Sequence, residues 1–416
     1  MKTILYDPEI VFQKFLEHFK RDRLIAFKSA IIAGLLTHLV LMILQPVVAD
    51  PVIYMNWVKA GEYELYSQGH WSWNLLMMLR GYIVQPILST IITIFSTALM
   101  AVIIIELFDI KGKLAIIIAA SSIAVHPHIA NTLMYYYSAG TIGNFLVVLS
   151  IWIIYKFQSS AFTKILLSTF FLTIMLAFYQ PYISTATLLS LLLLILDLLH
   201  CKKKKSTWSH FFQCICVCGI SSVLYLIIWK ILCHFNNIYS FYGGASSYGL
   251  GNTLKRLPSI IFHIYSNFFD YFFTDSILHN SYWYRDVCNL ILFIGLISIF
   301  IILIKNNVQE GKYNKFDIIT LIFCVLLIPI AALSICLIVT DYNYYLMMAQ
   351  SFLLFVPLFC KLSEMGSACT KHFSQNMLLK WGIILCCIYT TWTFALSDIA
   401  GYMLLLNSLQ RNARFG

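Results

Sequence analysis

Apolar stretches long enough to cross a lipid bilayer recur along the whole length of this 416-residue chain. A transmembrane helix needs about 20 predominantly apolar residues to span a hydrocarbon core of about 30 Å. Only 11% of the residues are charged and 60% are hydrophobic, and the mean hydropathy is +0.81. A soluble protein carries about 25% charged residues. The sequence therefore predicts an all-α polytopic membrane protein.

The hydrophobic segments predict about eleven transmembrane helices, within a range of nine to twelve. They lie at about residues 24–44, 82–105, 114–125, 145–155, 165–178, 183–199, 211–232, 287–304, 318–339, 346–360 and 381–396. Residues 1–24 are expected to form a cytoplasmic amphipathic segment on the inner membrane surface. Residues 25–416 then form a single transmembrane domain, with larger outer loops at about 45–81 and 234–286.

The charge distribution sets the expected orientation of these segments. Most of the 28 lysines and arginines fall on one side of the predicted spans, and such a side is normally cytoplasmic. The basic residues behind the net charge of +10 therefore set the orientation of the protein in the membrane and contact anionic lipid. They do not indicate nucleic acid as a partner. Residues 257–273 are expected to form an interfacial or re-entrant helix, because a crossing there would turn the later lysines outward. With a cytoplasmic N-terminus, eleven crossings place the C-terminus outside. A re-entrant turn near 398–406 would instead return the C-terminus to the cytoplasmic side.

The first outer loop concentrates carboxylates just outside the membrane. Asp50 follows the first span beside Pro51, where partial burial would favour a carboxylate that accepts a proton, as a general base does. Asp50 is therefore the first candidate for a catalytic base, and a solvated helix cap is the alternative. Glu62 and Glu64 could steady a sugar hydroxyl, hold a divalent cation or be solvated. The sequence identifies no particular cofactor, and a divalent cation is the one candidate.

Aromatic rings beside polar groups suit sugar rings, which stack on one face and hydrogen-bond through their hydroxyls. The sequence places such groups at Trp57, His70 and Trp71, although anchoring at the membrane interface explains the tryptophans nearly as well. His126 and His128 flank a proline and lack a third ligand nearby, so they are expected to be structural or substrate-contacting residues and no metal site is predicted.

Four basic residues on the predicted outer side are candidates for a lipid-linked phosphate: Arg80, Lys255, Arg256 and Arg285. An arginine side chain matches phosphate oxygens with two parallel hydrogen bonds. Contact with ordinary lipid headgroups is the alternative for each of them.

The acidic outer loop, the Gly69-His70-Trp71 element and the Tyr179-Gln180 hairpin between the fifth and sixth spans together resemble the phage-encoded serotype-converting O-antigen glucosyltransferases, of the Shigella-phage type. The motifs support this resemblance over about 45–81 and 170–187. It implies a C-type membrane glycosyltransferase (GT-C) fold and substrate contacts for Tyr179 and Gln180. It also implies a location in the bacterial inner membrane, with the active face towards the periplasm.

The same resemblance implies undecaprenyl-phosphate glucose as the donor and O-antigen polysaccharide as the acceptor, with a separate synthase and flippase supplying the donor. This sequence departs from the family pattern at two places. Family members often carry a tandem acidic pair where this chain has Ala49-Asp50, and a Gly-Arg-Trp-like element where it has Gly69-His70-Trp71. Arg80 could replace the missing positive charge.

Two other functions fit a polytopic chain. An O-antigen polymerase is expected to carry several arginines in its outer loops, where this chain has few. A lipid-linked sugar transporter or flippase is expected to show repeated broken helices and ionisable residues near the middle of the membrane. The sequence shows no internal repeat, and its predicted spans are nearly free of charge.

Overall fold

The computed structural model describes residues 21–44, 66–79, 86–136, 138–201, 204–238, 250–274, 283–337, 346–368 and 373–415. Within these ranges every regular element is a helix and no strand occurs, which confirms the all-α prediction. Most of the predicted amphipathic segment at 1–24 lies outside the described residues, as do large parts of the two predicted outer loops.

The helices are numbered here in chain order. They are α1 (Arg21–Leu44), α2 (Trp71–Leu79), α3 (Pro86–Phe108), α4 (Lys113–Ala124), α5 (Pro127–Tyr136), α6 (Ser138–Lys156), α7 (Ala161–Leu176), α8 (Ile183–Leu199), α9 (Lys204–Phe235), α10 (Leu250–Phe273), α11 (Trp283–Gln309), α12 (Lys315–Leu326), α13 (Ile328–Ala332), α14 (Phe355–Ala368) and α15 (Phe373–Phe415). Short 3₁₀ helices lie at Gln180–Tyr182, Ser334–Leu337 and Leu346–Leu354.

Among the described residues, eight helical segments are long and apolar enough to cross a membrane, and Ile142–Lys156 and Ala161–Leu176 are shorter apolar helices. These ten segments coincide with ten of the predicted spans. The remaining prediction, residues 318–339, is divided between α12, α13 and a 3₁₀ helix. Pro329 lies at this break, and a proline has no backbone N–H to continue a helix.

A second break separates α4 from α5 at Val125 and His126, as the sequence predicts. Pro127 is the first residue of α5, a position that suits proline because the first helical N–H has no partner within the helix. The two helices together still form one apolar segment, Lys113–Leu133, that is long enough to span. The break places His126 and His128 inside the bundle instead of at its surface, and both are almost fully buried.

Helix α8 forms the centre of the bundle, and most of its side chains are buried on every face. It packs against α6, α9 and α13 and against the 3₁₀ helix that begins at Leu346. A helix that is apolar all round lies either in a protein core or in lipid, and neighbouring helices cover most of α8. Helices α1, α3 and α4 pack together beside this centre.

One end of the bundle carries most of the described ion pairs, and we call it the basic end. It contains the Arg23–Glu106 pair at 2.7 Å and the Lys204–Asp317 pair at 2.6 Å. The Glu364 carboxylate accepts hydrogen bonds from the backbone N–H groups of Lys111 and Gly112. The opposite end, which we call the far end, contains the turn at Gln180–Tyr182 and the start of α11.

The C-terminal end of α10 lies beside the start of α11. Arg285 donates to the Thr274 carbonyl oxygen at 2.9 Å, and Asn289 donates to the Phe272 carbonyl oxygen at 2.6 Å. Helix α11 ends at the basic end, since Asn307 donates to the Leu199 carbonyl oxygen at 3.1 Å. Because α11 is long enough to span, this end of α10 lies on the far-end side. The apolar residues that α10 buries lie on one face, and its interfacial or re-entrant placement stays a prediction.

Helix α15 is continuous from Phe373 to Phe415, and it has no turn near residues 398–406. The re-entrant turn that the sequence left open at this position does not occur. At 1.5 Å per residue these 43 residues extend about 65 Å, roughly twice the hydrocarbon thickness.

Candidate functional site

The two segments that carry the family resemblance lie against each other at the far end. The Gln180 side-chain nitrogen donates to the Gln68 carbonyl oxygen and to the Tyr225 hydroxyl oxygen, at 2.7 Å each. The Tyr225 hydroxyl donates in turn to the Gly69 carbonyl oxygen at 3.3 Å. Three segments that are far apart in the sequence therefore meet at one point, which we call the Gln180 junction. The sequence analysis does not single out Tyr225.

Gly69 occupies a position at this junction that only glycine fits. Its φ is +83°, in the left-handed region that favours glycine. A Cβ here would overlap the Tyr225 hydroxyl oxygen and would lie 2.7 Å from the Gln180 side-chain nitrogen. The backbone can approach these two polar groups only because residue 69 has no side chain.

Further hydrogen bonds hold the segment before α2 against α9 and against the turn after α7. The Trp229 indole nitrogen donates to the Tyr66 carbonyl oxygen at 2.5 Å. The Ser72 backbone N–H donates to the Ala177 carbonyl oxygen at 3.3 Å. The segment that leads out of the acidic loop is thereby fixed to the bundle on both sides.

His70 is buried between aromatic side chains. Its ring centroid lies 6.2 Å from that of Trp73 and 6.0 Å from that of Tyr179. Burial lowers the pKa of His70 to about 4, against a smaller opposing effect of a hydrogen bond to the Phe178 backbone. His70 is therefore neutral near pH 7 and does not replace the positive charge of the family's Gly-Arg-Trp-like element.

Trp71 is half-buried beside His70, and its indole nitrogen is buried without a hydrogen-bond partner in the described part of the chain. The residues of the Gly69-His70-Trp71 element thus differ in their exposure. The glycine and the histidine are covered by α9 and the turn after α7, whereas the Trp71 ring remains partly accessible.

A series of ring contacts connects the Gln180 junction to the break between α4 and α5. Tyr179 contacts Tyr182 with centroids 5.4 Å apart, and Tyr182 contacts His128 at 6.1 Å. The Asn144 side-chain nitrogen donates to His128 Nε2 at 3.0 Å. The structure therefore brings His70, Tyr179, Gln180 and His128 into one connected region.

His126 faces a different neighbour, Tyr271 on α10. The His126 Nδ1 accepts a hydrogen bond from the His128 backbone N–H at 3.3 Å, and its Nε2 lies 2.9 Å from the Tyr271 hydroxyl oxygen. A neutral imidazole whose Nδ1 accepts must carry its proton on Nε2, so His126 donates to Tyr271. A cavity of about 20 Å³ beside these residues is the size of one water molecule.

Arg285 lies near the N-terminus of α11 and is almost fully buried. One guanidinium nitrogen donates to the Thr274 carbonyl oxygen at 2.9 Å and lies 3.3 Å from the Asp286 carboxylate. Arg285 also lines a cavity of about 380 Å³ between α5, α11 and α15. Arg285 is thus a basic candidate that lies at the wall of a cavity.

Lys255 and Arg256 lie elsewhere. Both are exposed near the N-terminus of α10, and Lys255 is about 24 Å along the helix from Tyr271 at 1.5 Å per residue. The structure does not bring them together with Arg285. A role towards phosphate stays a prediction for all three residues.

Five predicted site residues lie outside the described residues: Asp50, Trp57, Glu62, Glu64 and Arg80. Their roles therefore stay predictions. Within the described ranges no group of three histidine, cysteine, aspartate or glutamate side chains could hold a metal ion.

A buried polar cluster on α15 is the main feature that the sequence analysis missed. Asp398 is buried, and its Oδ2 has no hydrogen-bond partner in the described part of the chain. It lies near Tyr271 and Tyr402. The Tyr402 hydroxyl donates to His38 Nδ1 at 2.8 Å, since His38 Nε2 donates to the Ala124 carbonyl oxygen. A lone carboxylate inside an apolar span is itself a signal of such a site.

The described fold and the polar groups at its far end define a polytopic α-helical membrane protein with a candidate site where the chain returns from its acidic loop. The model of the Glucosyl transferase GtrII family matches residues 40–358, which include both the Gln180 junction and Arg285. The chain belongs to this family of serotype-converting glucosyltransferases, and the suspected resemblance is confirmed.

Comparison with curated proteins and with solved structures gives no match for this chain. The C-type membrane glycosyltransferase fold therefore stays a prediction. Family membership supports glucosyl transfer as the activity, and it favours this activity over a polymerase or a flippase.

Proposed function

We propose that this protein transfers glucose from undecaprenyl-phosphate glucose to a hydroxyl group of an O-antigen sugar, and thereby converts the serotype of the bacterial host. The observation that carries the proposal is the Gln180 junction, because it joins the exit of the acidic loop to the turn after α7. Both parts carry the family resemblance, and they lie in one place at one end of the bundle.

The location of this junction supports a periplasmic reaction. It lies at the far end, opposite the end that contains Lys111, Lys204 and Lys312. The lysine-rich end of a membrane protein is normally cytoplasmic. The far end then faces the periplasm of the inner membrane, where a flipped lipid-linked donor and the O-antigen are both accessible.

The proposed chemistry is a direct displacement at the anomeric carbon. Asp50 accepts the proton of the acceptor hydroxyl as its oxygen forms a bond to the anomeric carbon. The bond between that carbon and the phosphate oxygen breaks, and undecaprenyl phosphate leaves with the electron pair. A single displacement inverts the configuration of the donor anomer. Glu62 and Glu64 are the alternative carboxylates, and a divalent cation would be held in the same loop.

The leaving phosphate needs a positive partner, and His70 does not supply it. Burial lowers the pKa of His70 to about 4, so the ring is neutral at the pH of the reaction. A neutral imidazole between Trp73 and Tyr179 can position the loop or contact a sugar, but it does not neutralise a phosphate. The charge then comes from Arg80, Lys255, Arg256 or Arg285.

A transporter is the second candidate function, and one observation favours it. Asp398 is a buried carboxylate inside a segment long enough to span, and ionisable residues at such positions mark transport pathways in many membrane proteins. A donor synthase and a flippase would remain separate partners in the proposed scheme. In the transporter alternative the chain itself would move the lipid-linked sugar.

Glucosyl transfer by the purified protein tests the proposal directly. The full chain, reconstituted with undecaprenyl-phosphate glucose and acceptor lipopolysaccharide, is expected to attach glucose without any other protein. Transfer would exclude the transporter alternative. Its absence, together with movement of the donor across vesicle membranes, would refute the proposal and support the transporter.

An exchange at the first candidate base tests the mechanism in cells. Asp50→Asn is expected to lower serotype conversion about 100-fold or more, since general base catalysis contributes roughly 10²- to 10⁴-fold. Glu310→Gln is the matched control, because Glu310 pairs with Lys312 at the basic end. Full conversion by Asp50→Asn would reject Asp50 as the base, and Glu62→Gln and Glu64→Gln would then rank the other carboxylates.

A further inference from the structure

We propose that the cavity between α5, α11 and α15 binds the hexosyl phosphate of a polyprenyl-linked sugar, with Arg285 as the partner of the phosphate. This inference rests on the proposed function and adds to it the place at which the donor binds. It also selects Arg285 from the basic candidates for the phosphate, and it adds cavity residues on α11 and α15 that the sequence does not single out.

The cavity has the size and the lining of a small-molecule site. Its volume is about 380 Å³, within the range of roughly 300–1,000 Å³ that is usual for ligand pockets. Its wall combines aromatic rings, hydroxyl groups and one guanidinium: Tyr284, Arg285, Tyr389, Trp392, Thr393 and Ser397.

Arg285 is suited to an anion at this wall. The hydrogen bond to the Thr274 carbonyl oxygen at 2.9 Å fixes the position of the guanidinium, and the Asp286 carboxylate, 3.3 Å away, competes with a bound phosphate for it. Its side chain is only 10% exposed, so solvent screens its charge less than that of an exposed lysine. The planar guanidinium also matches phosphate oxygens with paired hydrogen bonds.

The rest of the wall favours a sugar next to that phosphate. The rings of Tyr284 and Tyr389 meet edge to face with centroids 5.7 Å apart, and Trp392 lines the same space. Flat apolar faces beside the hydroxyls of Thr393 and Ser397 suit a hexose, which has an apolar face and a polar rim. The glycerol headgroup of phosphatidylglycerol, the lipid used below as a competitor, presents no ring to such a surface.

The surface beside the cavity is apolar, as a lipid tail requires. On α15 the exposed residues Leu385, Ile388, Trp392 and Leu396 follow one another at helical spacing. On α11, which packs against α15, Val287, Ile291 and Ile294 are similarly exposed. The isoprenoid chain of a bound donor would lie along these two helices while its phosphate reaches Arg285.

Binding of undecaprenyl phosphate to the full-length protein in detergent or nanodiscs tests this site without any catalytic step. Arg285→Gln is expected to weaken binding about ten- to hundredfold, the usual range for loss of hydrogen bonds to a charged group. Arg285→Lys is expected to lose less because it keeps the charge. Asp286→Asn is expected to strengthen binding about two- to threefold, since it removes the competing carboxylate. Lys255→Gln, at an exposed position of α10, tests the rival cation, and a loss of binding as large as that of Arg285→Gln would overturn the choice of Arg285.

Two competition measurements and one further variant identify the ligand. Inorganic phosphate and phosphatidylglycerol are expected to compete at least tenfold more weakly than undecaprenyl phosphate. Trp392→Leu is expected to weaken binding of undecaprenyl-phosphate glucose more than that of undecaprenyl phosphate. Equal binding of phosphatidylglycerol would identify an ordinary lipid contact and overturn the inference. Thermal unfolding and gel filtration show whether each variant folds. Should Arg285→Gln fail to fold, Asp286→Asn decides, because stronger binding supports the site at Arg285 and unchanged binding overturns it.

The two proposals fail in different ways. Unchanged binding by folded Arg285→Gln, in a protein that still transfers glucose, would overturn the location of the site and leave the proposed function intact. Binding that depends on Arg285, in a protein that transfers no glucose from the lipid-linked donor, would keep the site and overturn the proposed function.

Discussion

The side-chain nitrogen of Gln180 lies 2.7 Å from the hydroxyl oxygen of Tyr225, on a helix that belongs to a different part of the sequence. The same nitrogen donates to the Gln68 carbonyl oxygen. One amide group therefore connects the turn after α7, the helix α9 and the end of the acidic loop. If that loop carries the catalytic carboxylate, Gln180 sets the position from which the loop leaves the bundle.

Gln180→Glu is expected to lower glucosyl transfer about tenfold or more. A carboxylate has no N–H to give to the Gln68 carbonyl oxygen, and an unsatisfied buried group costs about 1–3 kcal/mol. Transfer activity and thermal unfolding of the purified variant measure the effect. Gln309→Glu is the matched control, because Gln309 is exposed at the C-terminal end of α11. Equal activity of the two variants would contradict a positioning role for Gln180.

Gly69→Ala is expected to destabilise the junction by about 1–3 kcal/mol, the usual cost of a strained backbone conformation. The new methyl group would overlap the Tyr225 hydroxyl oxygen at a φ of +83°. Adding Tyr225→Phe removes that oxygen and is expected to restore part of the stability. Gly219→Ala in α9 meets no atom within 4 Å and serves as the control. A shift in melting temperature no larger than that of Gly219→Ala would count against the described packing.

Stability is expected to fall as the pH drops from about 6.5 to about 4 because of His70. Burial lowers its pKa in the folded protein to about 4, while the unfolded chain takes up a proton near 6.5. The unfolded state therefore binds more protons in this window, and folding weakens as the pH falls. His70→Gln is expected to flatten this part of the curve of melting temperature against pH. A curve for His70→Gln that falls as steeply as the wild-type curve in this pH window would refute the prediction.

Tyr271→Phe is expected to destabilise the protein by about 1–3 kcal/mol. It leaves the His126 Nε2–H group buried without its acceptor at 2.9 Å, and an unsatisfied buried donor carries a cost of this size. Tyr265→Phe, on the same helix, removes a bond to the Leu326 carbonyl oxygen in a more exposed place and should cost less. Melting temperatures in detergent compare the two. The opposite order would show that Tyr271 does not stabilise the break between α4 and α5.

The apolar segments could be located from the sequence because crossing a bilayer requires a long run of apolar residues, wherever that run packs. Ten predicted spans therefore coincide with apolar helices, and the break at Pro127 follows from proline chemistry. The prediction of a single span at residues 318–339 was wrong. Mean hydropathy over this segment hides Pro329, but the proline has no N–H to continue the helix, and the backbone breaks there.

The candidate site could be predicted only in part. Gly69, His70, Tyr179 and Gln180 were identifiable because their residue types are unusual beside apolar spans, but Tyr225 lies in an ordinary helical sequence and becomes part of the site only through its contacts. Asp398 was missed, although a lone carboxylate in an apolar segment is a signal that the sequence carries. Its neighbours Tyr271 and Tyr402 come from α10 and from the following turn of α15.

The sequence by itself determined that this chain is a helical membrane protein, which side its lysines favour and which family it resembles, because these properties are sums over local composition and short motifs. Only the tertiary structure decided that His70 is neutral, that His126 and His128 are buried, and that Arg285 lines a cavity. Burial and distance between remote segments set those properties, and neither quantity is encoded by any single stretch of the chain.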